Sequence, residues 1–113
     1  MKSALSTIFN WPEKDHWQAL AAHIKAECPV MEGPVIVSAV FTVRPPADGL
    51  WNLGQPSIAT LTEKFLEAIL DAGVCRLCQV QTVKVCKVAP ATERARVAGP
   101  KVWVSIAELG KVG

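Results

Sequence analysis

The segment 35–44 constrains the fold more than any other stretch of the chain. Val35, Val37, Ala39, Phe41 and Val43 alternate with Ile36, Ser38, Val40, Thr42 and Arg44, and a period of two residues sends successive side chains to opposite faces of a β-strand. Gly33-Pro34 precedes the run and Pro45-Pro46 closes it, both places where a ladder ends and the chain turns. One face of this strand is wholly apolar, so it requires a covering layer of helices or of a second sheet.

Two amphipathic helices can supply that layer. Glu13 and Asp15 stand where a helix start favours acids, and Trp17, Leu20, Ala21 and Ile24 then recur at i, i+3, i+4 and i+7, which predicts a helix from Pro12 to just before Pro29. The second helix is predicted over 57–72, with Pro56-Ser57 before it, a box-like pair Thr60 and Glu63 in its first turn, and Gly73 past its end. Its stripe Leu61, Phe65, Ile69 and Ala72 fits a helix lying across a sheet. Segments 3–9, 78–88 and 101–108 are β-branched and roughly alternating, which predicts three more strands. The polar connection 89–100 between the last two is read as a long hairpin.

The order β-α-β-loop-α-β-β predicts an α+β fold, a small mixed β-sheet with two helices on one face, in a single domain spanning 1–113. Half of the 113 residues are hydrophobic and 19% are charged, a composition that folds. The chain contains no apolar run of spanning length, and no apolar segment follows Met1–Leu5 before Trp11-Pro12. The expectation is a soluble, cytoplasmic protein with no membrane partner.

Charge is divided unevenly along the chain. Residues 1–73 carry five Lys and Arg against eight Asp and Glu, a balance of −3, whereas residues 74–113 carry seven against two, a balance of +5. The C-terminal third is therefore the part that would meet an anion such as DNA, with Arg76, Lys84, Lys87, Arg94, Arg96 and Lys101 as candidate phosphate contacts. A solvated sheet face accounts for the same charges without a ligand. Leu50, Trp51 and Leu53 sit in the turn-rich loop 45–56, where they act either as a lid on the core or as the anchor of a protein contact.

Cys75 and Cys78 form a CxxC, but no second CxxC or HxxxH completes a zinc site, and His16 and His23 lie far upstream, seven apart on one face of the first helix. Structural, reduced thiols and solvent-facing histidines are the expectation, with no metal and no cofactor. A glycine-rich phosphate loop and a nucleophile elbow are both missing.

In its second half the chain resembles the RusA family of phage and prophage Holliday junction resolvases. That family carries an Asp-x-Asp-Asn-Leu-x-Lys motif at the start of its second helix, an Ala-Leu-x-x-Ala-Gly helix end, and Asp-Asp-x-Gln-Val leading into a strand. Leu61, the run Ala68-Ile69-Leu70-Asp71-Ala72-Gly73, and Gln79-Val80 match the apolar frame of these motifs. The resemblance implies a scaffold that binds branched DNA as a homodimer and, in active members, cuts it with Mg²⁺ held by converging carboxylates. The departures fall on the chemistry. The first two acid positions are matched by Ser57 and Ala59, the asparagine by Thr60, the lysine by Glu63, and the later acid pair by Arg76 and Leu77.

No catalytic residue is expected on that matching, and Asp48 and Glu63 are the remaining carboxylates near enough in sequence to substitute. Mg²⁺ would be needed only if cutting survives. The leading expectation is an inactive RusA-like scaffold that binds branched or double-stranded DNA through its basic C-terminal third. One alternative is a phage-type interaction or inhibitor module using the loop 50–53 on a protein partner. The other is a divergent Mg²⁺-dependent junction endonuclease.

Overall fold

In the computed structural model, which describes residues 2–10, 17–42, 57–89, 94 and 101–109, four strands form one mixed sheet covered by two helices. The elements run β1 (Lys2–Asn10), α1 (Trp17–Glu27), β2 (Val35–Thr42), α2 (Ile58–Ala72), a short 3₁₀ turn (Leu77–Gln79), β3 (Val80–Val88) and β4 (Lys101–Glu108). This is the α+β arrangement that the hydrophobic periods predict. The apolar loop 45–56, with Asp48, Leu50, Trp51 and Leu53, lies outside the described residues, as do His16 and Arg96.

The spatial order is β1-β4-β2-β3. β4 pairs antiparallel with both β1 and β2, while β2 and β3 run parallel, joined by the crossover through α2. The last two strands are therefore not a hairpin, contrary to the sequence expectation: β3 forms one edge and β4 inserts at the centre. Burial explains the order. Val102, Val104 and Ile106 of β4 are fully buried, which a central strand permits, whereas no residue of β3 is buried and Lys84 and Lys87 both sit on it. Charged side chains are a common protection of an exposed edge against further strand pairing.

The core is built on one face of the sheet. Val35, Val37, Ala39 and Phe41 from β2 join the three buried β4 residues beneath Leu20, Ala21 and Ile24 of α1 and Leu61, Phe65, Ala68, Ile69 and Ala72 of α2. Phe41 sits between the helices, its ring 5.8 Å from that of Trp17 and 6.3 Å, edge on, from that of Phe65. Both separations lie in the range of favourable aromatic contacts.

The start of α2 is capped one turn earlier than the Thr60 and Glu63 pair suggests. Ser57 is the N-cap, its Oγ accepting from the Thr60 amide at 3.2 Å, which satisfies one of the amides a helix start leaves unbonded. At the other end Gly73 adopts φ 73° and donates its amide to the Leu70 carbonyl, the left-handed ending that glycine accommodates without strain.

Candidate nucleic-acid interface

The strand register that builds the core also defines the opposite face of the sheet. Across it, one row is apolar: Ile8, Trp103, Val40 and Cys86 are neighbours on β1, β4, β2 and β3. Ile8 is 65% exposed and Trp103 39%, so the β1–β4 half of this row is open to solvent, while Val40 and Cys86 are half-buried. The adjacent row reads Ser6, Ser105, Ser38 and Lys84, three hydroxyls ending in an ammonium. On the other side of the apolar row, Lys101 lies next to Thr42, whose Oγ1 accepts from the Lys101 amide at 2.7 Å and donates to its carbonyl at 3.0 Å, closing that end of the β2–β4 ladder.

Charge separates between the two faces. The carboxylates among the described residues are Glu27, Glu32, Glu63, Glu67, Asp71 and Glu108, and none of them is on the open face. Glu63, Glu67 and Asp71 are exposed on α2, and Glu108 has the alternation of the core-side residues of β4. The open face carries Lys84 and Lys101, and the described carboxylates stand on other faces of the molecule. A polyanion therefore meets attraction on the sheet and repulsion along α2.

Of the six basic residues picked from the sequence, Arg96 lies outside the described residues, and of the other five the structure brings Lys84 and Lys101 to one face. Lys87 stands opposite Phe41 in the parallel register and so points to the helix side, where it is partly buried. Arg76 is exposed ahead of the 3₁₀ turn, and Arg94 is exposed in the connection between β3 and β4. Trp103 and the hydroxyl row were not singled out by charge counting. The alternation of β4 around Val102, Val104 and Ile106 was the signal that places Trp103 outward.

The positions that match the resolvase acids do not converge. Ser57 and Ala59 are at the start of α2, and Arg76 and Leu77 follow its end. A helix of 15 residues separates the two pairs by roughly 22 Å at ~1.5 Å rise per residue, too far for one divalent ion even if all four were carboxylates. Glu63 is exposed on α2. Among the described residues no group of three or more His, Cys, Asp or Glu is placed to hold a metal.

The four cysteines are free thiols. Cys28 and Cys75 are buried, Cys78 is exposed and Cys86 is half-buried on the open face. Burial, reinforced by the neighbouring Cys75, pushes the Cys28 thiol up to about 11. Burial, and secondarily Cys78, raises Cys75 as well. Both remain protonated at neutral pH and are poor nucleophiles. His23 is exposed on α1.

Two polar side chains fasten the turn that enters β2. The Gln79 amide donates to the carbonyls of Met31 and Gly33 at 2.8 and 3.0 Å, while its oxygen accepts from the Arg76 amide at 2.8 Å. From the other side, one Glu108 oxygen accepts from the amides of Glu32 and Gly33 at 2.9 and 3.0 Å. Glu108 also lines the pocket bounded by Val30 and Leu109. That oxygen is thus engaged in holding backbone. A groove between the helices, about 510 Å³ and lined by Trp17, Gln18, Lys64, Glu67, Ala68 and Asp71, holds a Lys64–Glu67 ion pair at 3.7 Å. Neither cavity gathers a nucleophile with a base.

No protein-family model matches the chain and no curated protein matches its sequence, so the functional reading rests on these residues. No described helix is long and apolar enough to cross a membrane.

Proposed function

We propose that this chain is a DNA-binding module that does not cut, working in the cytoplasm and using the open face of its sheet. The observation that carries this reading is the charge of that face: Lys84 and Lys101 flank an exposed indole, and every described carboxylate lies elsewhere. Lysines facing phosphates release counterions, so affinity should fall steeply with salt. The separation of Ser57 and Ala59 from Arg76 and Leu77 supports binding without hydrolysis, since no shared ion can bridge them. Free cysteines are in keeping with a reducing compartment. The RusA resemblance makes branched DNA the first ligand to try and a homodimer the assembly to look for.

The test is a titration of the protein against a labelled four-way junction and a plain duplex, with and without Mg²⁺, reading binding on a native gel and cutting on a denaturing one. The expected result is a salt-sensitive shift without cleavage, weakened in a Lys84→Glu, Lys101→Glu variant. Absence of binding to any nucleic acid at low salt refutes the reading, and Mg²⁺-dependent cleavage refutes its non-cutting half. A second reading, a protein-interaction module, draws on the apolar row Ile8, Trp103 and Val40. Salt-insensitive capture of a protein that is lost on Ile8→Asp would favour it.

A further inference from the structure

We infer that the strand this face is built to hold is unpaired: a single-stranded nucleic acid with a base stacked on Trp103, an inference that rests on the nucleic-acid reading above and narrows it. A duplex presents ridges of phosphate and grooves that admit a helix or a β-ribbon. The open face of this sheet carries an apolar row across its middle, Ile8, Trp103 and Val40, and α2, an element that could enter a groove, carries the exposed acids Glu63, Glu67 and Asp71. Duplex phosphates set against Ile8, Trp103 and Val40 would lose water and gain no partner. An unpaired base has an apolar face to offer, and stacking on an exposed aromatic ring is how sheet surfaces hold single strands.

The placement of the cations fits one strand crossing that ring. Lys101 precedes Trp103 by two residues on β4, which puts it about 7 Å away along the strand. Lys84 lies in the next row on the other side of Trp103 and two strands over, about 12 Å away. The two ammonium groups therefore stand on opposite sides of the indole, where the phosphates before and after a stacked base would pass. Ser38 and Ser105 share the row of Lys84, next to the row of the indole, with hydroxyls that can donate hydrogen bonds to a base edge or a sugar or accept them.

The experiment compares labelled oligothymidylate, oligouridylate, the matching duplex and a four-way junction by fluorescence anisotropy at low salt, for the full chain and for Trp103→Ala, Trp103→Phe and Lys84→Ala. Single strands should bind at least roughly tenfold more tightly than duplex. Trp103→Ala should cost roughly tenfold or more on single strands, Trp103→Phe should restore most of it, and Lys84→Ala should lower the salt slope by about one. Trp103 lies outside the core, so circular dichroism of Trp103→Ala should match the parent, and the Phe variant covers the case in which it does not. Equal or tighter duplex or junction binding, with Trp103→Phe and Trp103→Ala unchanged, overturns the single-strand inference and leaves the DNA reading standing. No binding to any of the four ligands overturns both. Burial of Trp103 between two copies, seen as a stable dimer that Trp103→Ala dissociates, overturns the inference as well. Preference for the thymidylate or the uridylate strand identifies DNA or RNA as the source, and either supports it.

Discussion

Gln79 and Glu108 brace the same turn from opposite sides, so removing both should cost less than the two single losses added together. Gln79→Ala deletes three hydrogen bonds, two of them to partly buried carbonyls of Met31 and Gly33. At ~1 kcal/mol net for each, discounted for the exposed Arg76 amide, the loss is about 2–3 kcal/mol. Glu108→Ala deletes two charge-assisted bonds to the amides of Glu32 and Gly33, one of them exposed, for about 2–3 kcal/mol. Either loss is a large share of the roughly 5–15 kcal/mol that holds a domain together. Once one brace is gone the turn 30–34 can move away from the other, so the double variant should fall short of additivity by about 1 kcal/mol. Urea unfolding followed by circular dichroism, with unchanged slope, measures all four proteins of the cycle. A Gln79→Ala loss under about 0.5 kcal/mol, or strict additivity, would refute the idea that these side chains act on one turn. Gln79→Glu sharpens the test, because it preserves size while setting carboxylate oxygen against two carbonyl oxygens, and should destabilise at neutral pH at least as much as alanine.

Ser57→Ala should lower stability by about 1 kcal/mol in the same assay, and Ser57→Gly by only a few tenths, since the lost contact is the cap on the Thr60 amide. A thiol reagent at mildly alkaline pH should label Cys78 first and Cys28 and Cys75 only on unfolding; rapid labelling of Cys28 in the folded protein would contradict its burial. The Cys28 thiol moves from 9.0 to about 11 on folding, so the folded state keeps a proton that the unfolded chain releases. Stability should accordingly be unaffected by this group below pH 9 and decline as pH rises toward 11, with Cys28→Ala flattening that decline.

Element positions were legible because each rests on a local period. The alternation of β2 and the capped, glycine-ended stripe of α2 are satisfied in the structure as the sequence implies. Strand order was not legible by neighbourhood in the chain, since β4 crosses past β3 to pair with β1 and β2. Two signals pointed that way: a connection of 89–100 is long for a hairpin, and Lys84 and Lys87 mark β3 as an edge. The roles of Gln79 and Glu108 leave no periodic trace, because a hydrogen bond across 46 to 76 residues depends on where distant segments meet and not on spacing. Counting charge found the basic third of the chain but could not sort Lys84 from Lys87, which requires knowing which face each occupies.

That sorting is visible at one residue. Val80 stands opposite Val35, yet Thr82 stands opposite Ile36, so Gln81 is an extra residue in β3. A bulge of this kind reverses the alternation that follows it. Were alternation to run unbroken from Val80 through Gln81, Thr82 and Lys84 would face the core and Val83 and Val85 would face solvent; with the bulge, the two valines pack against the core and Lys84 joins the hydroxyl row on the open face. β4 needs no such device, because burial of Val102, Val104 and Ile106 already holds Lys101 and Trp103 outward, at about 1.5–3 kcal/mol for each buried side chain. The cationic, aromatic character of the open face is thus fixed by what the core requires of β4 and of Val83 and Val85 in β3, with the bulge at Gln81 letting Val80 pack against the core as well. Deleting Gln81 removes the bulge but joins Val80 directly to Thr82 in the same pairing, so Lys84 should stay opposite Ser38 and nucleic-acid binding should be unchanged; a lost Lys84 contribution in that variant would refute this account of the register.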